Sequence, residues 1–326
     1  MIYTRKVAAD LVRKSKLLYN LNQDESNKLK QCLLEMYSDI LRVCEKYNIR
    51  VMLGGGSALG AVRHGGFIPW DDDLDLIMPR EDYNKFISVF DKELSDLYEI
   101  TSPNSKYNVS NTFTKVYKKD TILVEMFNAN SDVPKGVYID IFPIEYVPEN
   151  KYIRLLKGFF ANLTYYIGYS AMIYQLRNDI LKEYFSASLA GKVNYRLRTT
   201  IGFCASFASY KKWFNFYDRV LARGKDSNLC GIPSGRGHYF GEILPKEAFL
   251  PPREILFEGR KAYVPNNVDL YLRNLYGNYM EIPPIEKRER HYFIEFKIND
   301  WFKNLTRYYP QFYKKYNNEF GGKLWI

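Results

Sequence analysis

The chain has 326 residues, of which 46% are hydrophobic and 17% aromatic, and it carries a formal net charge of +10. That length suits one large or two ordinary domains with a substantial buried core, and the aromatic content excludes an intrinsically disordered chain. Cys32, Cys44, Cys204 and Cys230 are too few and too scattered for a disulfide scaffold, no CxxC pair supports a zinc site, and three histidines do not make a His-rich metal centre.

Met1–Asp10 has no apolar run after its charges, so no secretory signal is expected, and free cysteines agree with a reducing cytosol. Asp24–Tyr47 reads as an amphipathic helix, with Leu29, Leu33, Met36, Tyr37, Ile40, Cys44 and Tyr47 on one face and Asn48 at its end. Arg50–Leu53 is a short buried strand, followed by the turn Gly54-Gly55-Gly56-Ser57 and a helix-like ALGAVR. A strand is predicted over Leu74–Met78, a helix over Glu81–Leu94, and strands over Ile122–Phe127 and Val137–Phe142. Residues 151–223 read as mainly helical, Glu254–Val264 as a hairpin turning at Glu258-Gly259, and Asp269–Tyr279 as a helix stopped by Pro283-Pro284. The expected division is an N-terminal helical segment (1–50), a catalytic core (51–150), a basic aromatic helical insertion (151–225) and a C-terminal region completing the core (226–326).

Charge is concentrated in the insertion. Thirteen basic residues there face only Asp179, Glu183 and Asp218, an excess equal to that of the whole chain. Basic residues among tyrosine, phenylalanine and tryptophan suit anionic lipid headgroups. The same composition serves RNA or a solvated helical face; contact with an anionic membrane surface is the preferred reading over nucleic acid. Within it, Gly158–Leu176 is uncharged and nineteen residues long, but its Asn162, Thr164, Ser170, Gln175 and four tyrosines point to a buried or interfacial helix instead of a span.

The chemistry lies in GGGSALGAVRHGGFIPWDDDLDLIMPR, residues 54–80. Asp73 and Asp75 have the i, i+2 spacing that puts two carboxylates on one face of a strand, and by the same alternation Asp72 points away from them. Close carboxylates in a half-buried strand repel and are relieved by a cation. Hard oxygen ligands of this kind suit Mg²⁺ or Mn²⁺ with room left for phosphates. An acidic surface turn would not run on into LDLIM. A glycine turn entering a helix presents backbone N–H groups to an anion, which makes Gly55, Gly56 and Ser57 phosphate candidates. Asp140, in VYIDIFP, is another isolated acid in an apolar strand. It either shares a metal or pairs with a buried Arg or Lys.

A Gly-Ser turn, Asp-x-Asp on one strand and a third Asp on a later strand together resemble the nucleotidyltransferase superfamily of the DNA polymerase β type. More narrowly, RHGGFIPWDDDLDLIMPREDY, YIDIFPIE and YLRNLYGNYMEIPPIEKRERH resemble the LicD family of phosphocholine transferases and related phosphotransferases. The resemblance implies an α+β nucleotidyltransferase fold, a mixed sheet flanked by helices, with 151–225 inserted. It implies transfer of phosphocholine from CDP-choline to a hydroxyl of a cell-surface glycan or its lipid-linked precursor, with release of CMP. Metal ligands carry over onto Asp73, Asp75 and, by strand context, Asp140. Asp71 matches the start of the related acidic run and is a further catalytic or metal candidate.

Phosphoryl transfer needs positioning and neutralisation of charge. Arg63 and His64 lie just past the turn and are candidates to contact the donor, as are Lys115 in TKVYKK and Arg288 and His291 in EKRERH. A choline group needs an aromatic cage; Trp70 is the aromatic nearest the aspartates, and core packing would serve it as well. CDP-ribitol or CDP-glycerol would use the same scaffold. A true nucleotidyltransferase and a non-catalytic membrane- or RNA-binding module are the remaining readings, and the second leaves the aspartates unexplained. The expected location is cytoplasmic, peripheral at the inner face of the membrane.

Overall fold

The computed structural model describes residues 19 and 21–298, apart from 110, 126–128, 130, 187, 225, 289, 290 and 292. The reading of Met1–Asp10 therefore lies outside the described residues. Helix α1 (Gln23–Lys46) starts where Asn22 accepts the Glu25 amide and the Glu25 carboxylate accepts the Asn22 amide. This reciprocal cap satisfies two otherwise orphaned donors. Leu29, Leu33, Met36, Ile40 and Cys44 are buried along one face, and Asn48 leaves the helix with a φ of 51°.

The core sheet has seven strands. It is built on β1 (Met52–Leu53), β2 (Asp75–Pro79), β3 (Tyr98–Thr101), β4 (Thr114–Lys118) and β6 (Tyr138–Tyr146), in the spatial order β1-β2-β6-β4-β3. β2 and β6 are parallel and the other pairs are antiparallel. β7 (Leu229–Gly231) and β8 (Leu244–Pro245) extend the far end of β6. Strand β5 (Thr121–Glu125) pairs instead with β11 (Phe293–Ile298), bringing the C-terminal part of the chain to the core. The result is a mixed α+β architecture with a mixed sheet flanked by helices.

Several strand boundaries differ from the sequence reading: β1 starts at Met52, β5 at Thr121 and β6 at Tyr138. β2 begins at Asp75, not Leu74, so residues 71–74 approach the sheet outside its pleat. β6 runs on to Tyr146 through Pro143. The hairpin of β9 (Arg253–Phe257) and β10 (Arg260–Val264) turns at Glu258-Gly259, both with positive φ, as a two-residue turn requires. The late helix, Val268–Tyr276, stops three residues early. Gly277, with a φ of 67°, ends it before the prolines are reached.

Four helices follow β6: α4 (Lys151–Gln175), α5 (Asp179–Ser186), α6 (Leu189–Cys204) and α7 (Tyr210–Ala222). They have apolar clusters of their own, one around Ala171, Ile173, Phe185 and Phe214 and another around Ala161, Tyr217 and Tyr239. Among the described residues no helix is long and apolar enough to cross a membrane.

A buried ion network ties α7 to the sheet. The Arg80 guanidinium, at the start of α3 (Arg80–Glu93), donates to Glu145 on β6 and lies 2.8 Å from Asp218 on α7. All three side chains are at most 10% exposed. Removing the cation leaves two buried carboxylates without it, which is the costly way to break such a pair. Arg80→Met should lower the unfolding free energy by about 3–5 kcal/mol in urea titrations. The exposed control Lys92→Met should change it by less than about 0.5 kcal/mol.

Candidate active site

The register of the central strands sets the site. Asp75 on β2 is the direct partner of Asp140 on β6, and Asp140 is the direct partner of Lys115 on β4. Register partners share a face of a sheet, so two carboxylates and an ammonium form one row across three strands. The row continues on the other side, where the Gly54 amide donates to the Asp75 carbonyl at 2.9 Å.

Helix α2 (Gly55–His64) begins at the glycines themselves. Gly55 has a φ of 46°, and a Cβ there would meet Asp75 Oδ2 at 3.1 Å. A Cβ on Gly56 would meet Asp71 Oδ2 at 3.0 Å. The absence of side chains thus lets two carboxylates close on the helix N-terminus. The Gly55 amide donates to the Tyr271 hydroxyl at 3.0 Å, and that hydroxyl donates to Glu242 at 3.2 Å. Ser57 is buried, and its hydroxyl accepts the Asp75 amide at 2.8 Å. It therefore fixes the first residue of β2 against the helix.

The acidic run leads into this row. Lys30 donates to the carbonyls of Ile68 and Pro69 at 3.3 and 3.1 Å, and the Asp71 amide donates to the Ile68 carbonyl at 3.0 Å. His291 closes the run from the C-terminal side. Its Nδ1 lies 2.8 Å from Asp72 Oδ1 and 3.8 Å from Asp73 Oδ2, and its amide donates to Asp72 Oδ2 at 3.2 Å. Asp72, Asp73 and His291 each offer a donor atom within 4.8 Å of the others, a grouping able to hold a metal. The expectation that Asp72 points away from Asp73 is thereby corrected. The two-residue alternation applies only inside a strand, and both Asp72 and Asp73 precede β2, so strand spacing does not set the face of Asp73 relative to Asp75 either.

Of the two partners open to Asp140, the structure supplies a cation. Lys115 Nζ lies 3.0 Å from Asp140 Oδ1 and 3.4 Å from Glu125 Oε2 on β5, and 3.4 Å from the centre of the Tyr138 ring. Its side chain is only 4% exposed, so this structure engages it with carboxylates below the surface. The Lys115 ammonium donates to Asp140 Oδ2 at 3.2 Å, so both oxygens of this buried carboxylate face the same cation.

The remaining candidates sit beside the acidic run. Arg63 donates to the carbonyls of Tyr279 and Glu281 at 2.7 and 3.2 Å and to His64 at 3.0 Å. Arg288 stacks over Trp70 at 4.1 Å, and Arg63 lies 5.9 Å from the same ring. Trp70 therefore already faces guanidinium groups. The helix Val268–Tyr276 adds Tyr276, whose hydroxyl faces Gly55 and whose ring lies under Arg236.

The electrostatics record a surplus of negative charge. Burial, with Asp73 and Asp72 nearby, pushes Asp71 up to about 8. Burial raises Asp73 against the pull of His291. Burial together with Asp73 and Asp140 holds Asp75 well above the usual carboxylate range. Burial takes Asp140 up to about 6 despite Lys115. Burial opposes the charge of His291, yet Asp73 and Asp72 hold its pKa well above the usual value. Crowded acids of this kind are stabilised by an added cation. The grouping of Asp72, Asp73 and His291 and the carboxylates drawn up to the glycines would suit an added cation.

Sequence reasoning left Asp72 outside the metal site and passed over Lys30, Glu125, Tyr271 and Tyr276. Glu125 carried a usable signal: like Asp140, it is an isolated acid in an apolar strand, ILVEMF. Tyr271 and Tyr276 lie in the motif YLRNLYGNYMEIPPIEKRERH, but their contacts with Gly55, more than two hundred positions away, are set by the fold.

Aspartates around a glycine-initiated helix at the edge of a mixed sheet define a phosphate-handling class of site. Residues 48–165 match the family described as LicD/FKTN/FKRP, nucleotidyltransferase domain. The chain is 29% identical to the lipopolysaccharide cholinephosphotransferase LicD of Haemophilus influenzae over 257 residues, covering 78% of this chain and 90% of that protein. Over 52 residues, 16% of this chain and 10% of the relative, it is 46% identical to the ribitol 5-phosphate transferase FKRP of Mus musculus and of Homo sapiens.

Ser57→Ala would leave the Asp75 amide without its acceptor. The expected loss is about 1–3 kcal/mol of stability, read in denaturant titrations. A Ser57 that served only the donor would leave stability unchanged when replaced.

Proposed function

We propose that this LicD-type phosphotransferase moves phosphocholine from CDP-choline to a hydroxyl of a glycan or of its lipid-linked precursor, releasing CMP. The observation that carries the reading is the row of Asp75 and Asp140 against the glycine turn, with Asp71–Asp73 and His291 arriving beside it. Near full-length similarity to a cholinephosphotransferase supports phosphocholine as the transferred group. The supporting scaffold is a nucleotidyltransferase-type core of residues 51–150, completed by 226–326 and interrupted by the helices of 151–225.

Asp73 and Asp75 would hold Mg²⁺ or Mn²⁺ in this reading, with Asp140, Asp71 and Asp72 as the further oxygen donors around them and His291 as a positive charge beside them. When bound, the ion supplies charge neutralisation for a diphosphate and its leaving group. The chain's own groups do the rest. The Gly56 edge of α2 and the helix N-terminus favour the donor phosphates. Lys115, in the same row, holds Asp140 and Glu125 in place from the neighbouring strand. Arg63, in the last turn of α2, fixes the segment at Tyr279–Glu281, and Arg288 stacks on Trp70, which precedes the acidic run. Positioning of this kind is the larger part of phosphoryl-transfer catalysis.

The 46% identity over 52 residues to a ribitol 5-phosphate transferase supports a second reading, in which the donor is CDP-ribitol or another CDP-alcohol. The two differ in what surrounds the alcohol: aromatic faces for choline, hydrogen-bonding groups for a polyol.

The test is CMP release from CDP-choline, CDP-ribitol and CDP-glycerol in the presence of glycan acceptors. CMP release from CDP-choline, abolished by EDTA and restored by Mg²⁺ or Mn²⁺, is expected. A supporting residue around a metal is worth about 10–100-fold in affinity or activity, so replacing a ligand outright, Asp75→Asn, should cost at least that. CMP release from CDP-ribitol alone would replace the donor and keep the site. Activity that survives both EDTA and Asp75→Asn would remove the metal site from the account.

A further inference from the structure

The outer face of the helical segment carries apolar side chains that no part of the described protein covers. On α4, Tyr152, Leu155, Leu156, Phe159, Phe160 and Leu163 recur at three- and four-residue spacings, which is one face of a helix. They are exposed, Tyr152 to 80% and Leu156 to 60%. On α6, Leu189, Val193 and Leu197 follow at intervals of four and are 80%, 60% and 51% exposed. Scattered exposed leucines need no explanation, but a contiguous apolar face marks an interaction surface.

The two faces lie at the same end of the segment. The Arg198 guanidinium sits over the rings of Tyr166 and Tyr169, at 4.5 and 4.9 Å. Four residues later, Gly202 abuts Ser170 and Tyr174. Advancing along α6 therefore means advancing along α4, so the helices run in the same direction and their N-termini point the same way.

Charge identifies the occupant. Neither helix contains an aspartate or glutamate. Lys151, Lys192 and Arg196 are exposed among the apolar positions. A second copy of the chain would bring like charges together on this face. A planar anionic surface meets the basic groups and takes up the aromatic and aliphatic side chains at headgroup depth.

We propose that the N-terminal half of α4 and the exposed face of α6 form a docking surface for an anionic lipid bilayer, with both helices lying in the interface. The surface is separate from the aspartates, so its test does not depend on the donor. The full-length protein is sedimented with vesicles of phosphatidylcholine alone or mixed with phosphatidylglycerol. Binding to the mixed vesicles is expected, with little to the neutral ones, and it should weaken as salt is raised. Lys192→Glu with Arg196→Glu should reduce binding about tenfold or more. Leu156→Glu with Val193→Glu should reduce it similarly. Far-ultraviolet dichroism and the melting temperature should be unchanged, since all four side chains are exposed. A folded wild-type protein that ignores phosphatidylglycerol vesicles would overturn the proposal, as would variants that bind like wild type. A dimer that Leu156→Glu dissociates, with no affinity for vesicles, would make the face an interface between copies and would also overturn it.

Discussion

Mutual repulsion of carboxylates held below water is the constraint around which this structure is arranged. Asp75 and Asp140 are adjacent on parallel strands by register, and Asp71, Asp72 and Asp73 come in from the preceding loop. Burial and proximity raise the protonation tendency of Asp71, Asp73, Asp75 and Asp140. The fold offsets part of this with cations placed on different sides: Lys115 from the neighbouring strand, His291 from the segment leading into β11, and Lys30 from α1 beside the entering loop. What these cations leave uncompensated is a surplus of negative charge that a further cation would relieve.

The glycines make that crowding geometrically possible. At Gly55 and Gly56 a side chain would press on Asp75 and Asp71, so alanine at either position would widen the site or displace a carboxylate. Ser57 and Tyr271 then pin the turn from beneath, through the Asp75 and Gly55 amides. The turn is therefore a braced wall of the site. Bracing of this kind limits reorganisation when charge develops in a reaction.

Much of this was legible in the sequence, for identifiable reasons. The α1 stripe follows the helical period, and the glycine turn and hairpin follow turn chemistry. Asp75 and Asp140 stand out because an acid inside an apolar strand demands a partner. The partner was not legible, because choosing between a metal and Lys115 needs the register of β4 against β6, which no local pattern encodes. Asp72 was misplaced because the strand boundary fell one residue later than the apolar run suggested, and a strand rule was applied outside a strand. His291 was nominated by its motif, but its position against Asp72 comes from β11 pairing with β5. The helical segment was legible as basic and aromatic; which of its aromatics stay exposed depended on the packing of α4 against α6 and α7.

Donor binding by calorimetry tests the central claim most directly, with CDP-choline titrated into wild type and Asp73→Ala in Mg²⁺ and in EDTA. The account predicts binding that requires Mg²⁺ and that falls by at least about 10–100-fold in the variant. Equal affinity in EDTA, or an Asp73→Ala protein that is folded and binds like wild type, would contradict the claim that these carboxylates hold the ion on which the donor sits.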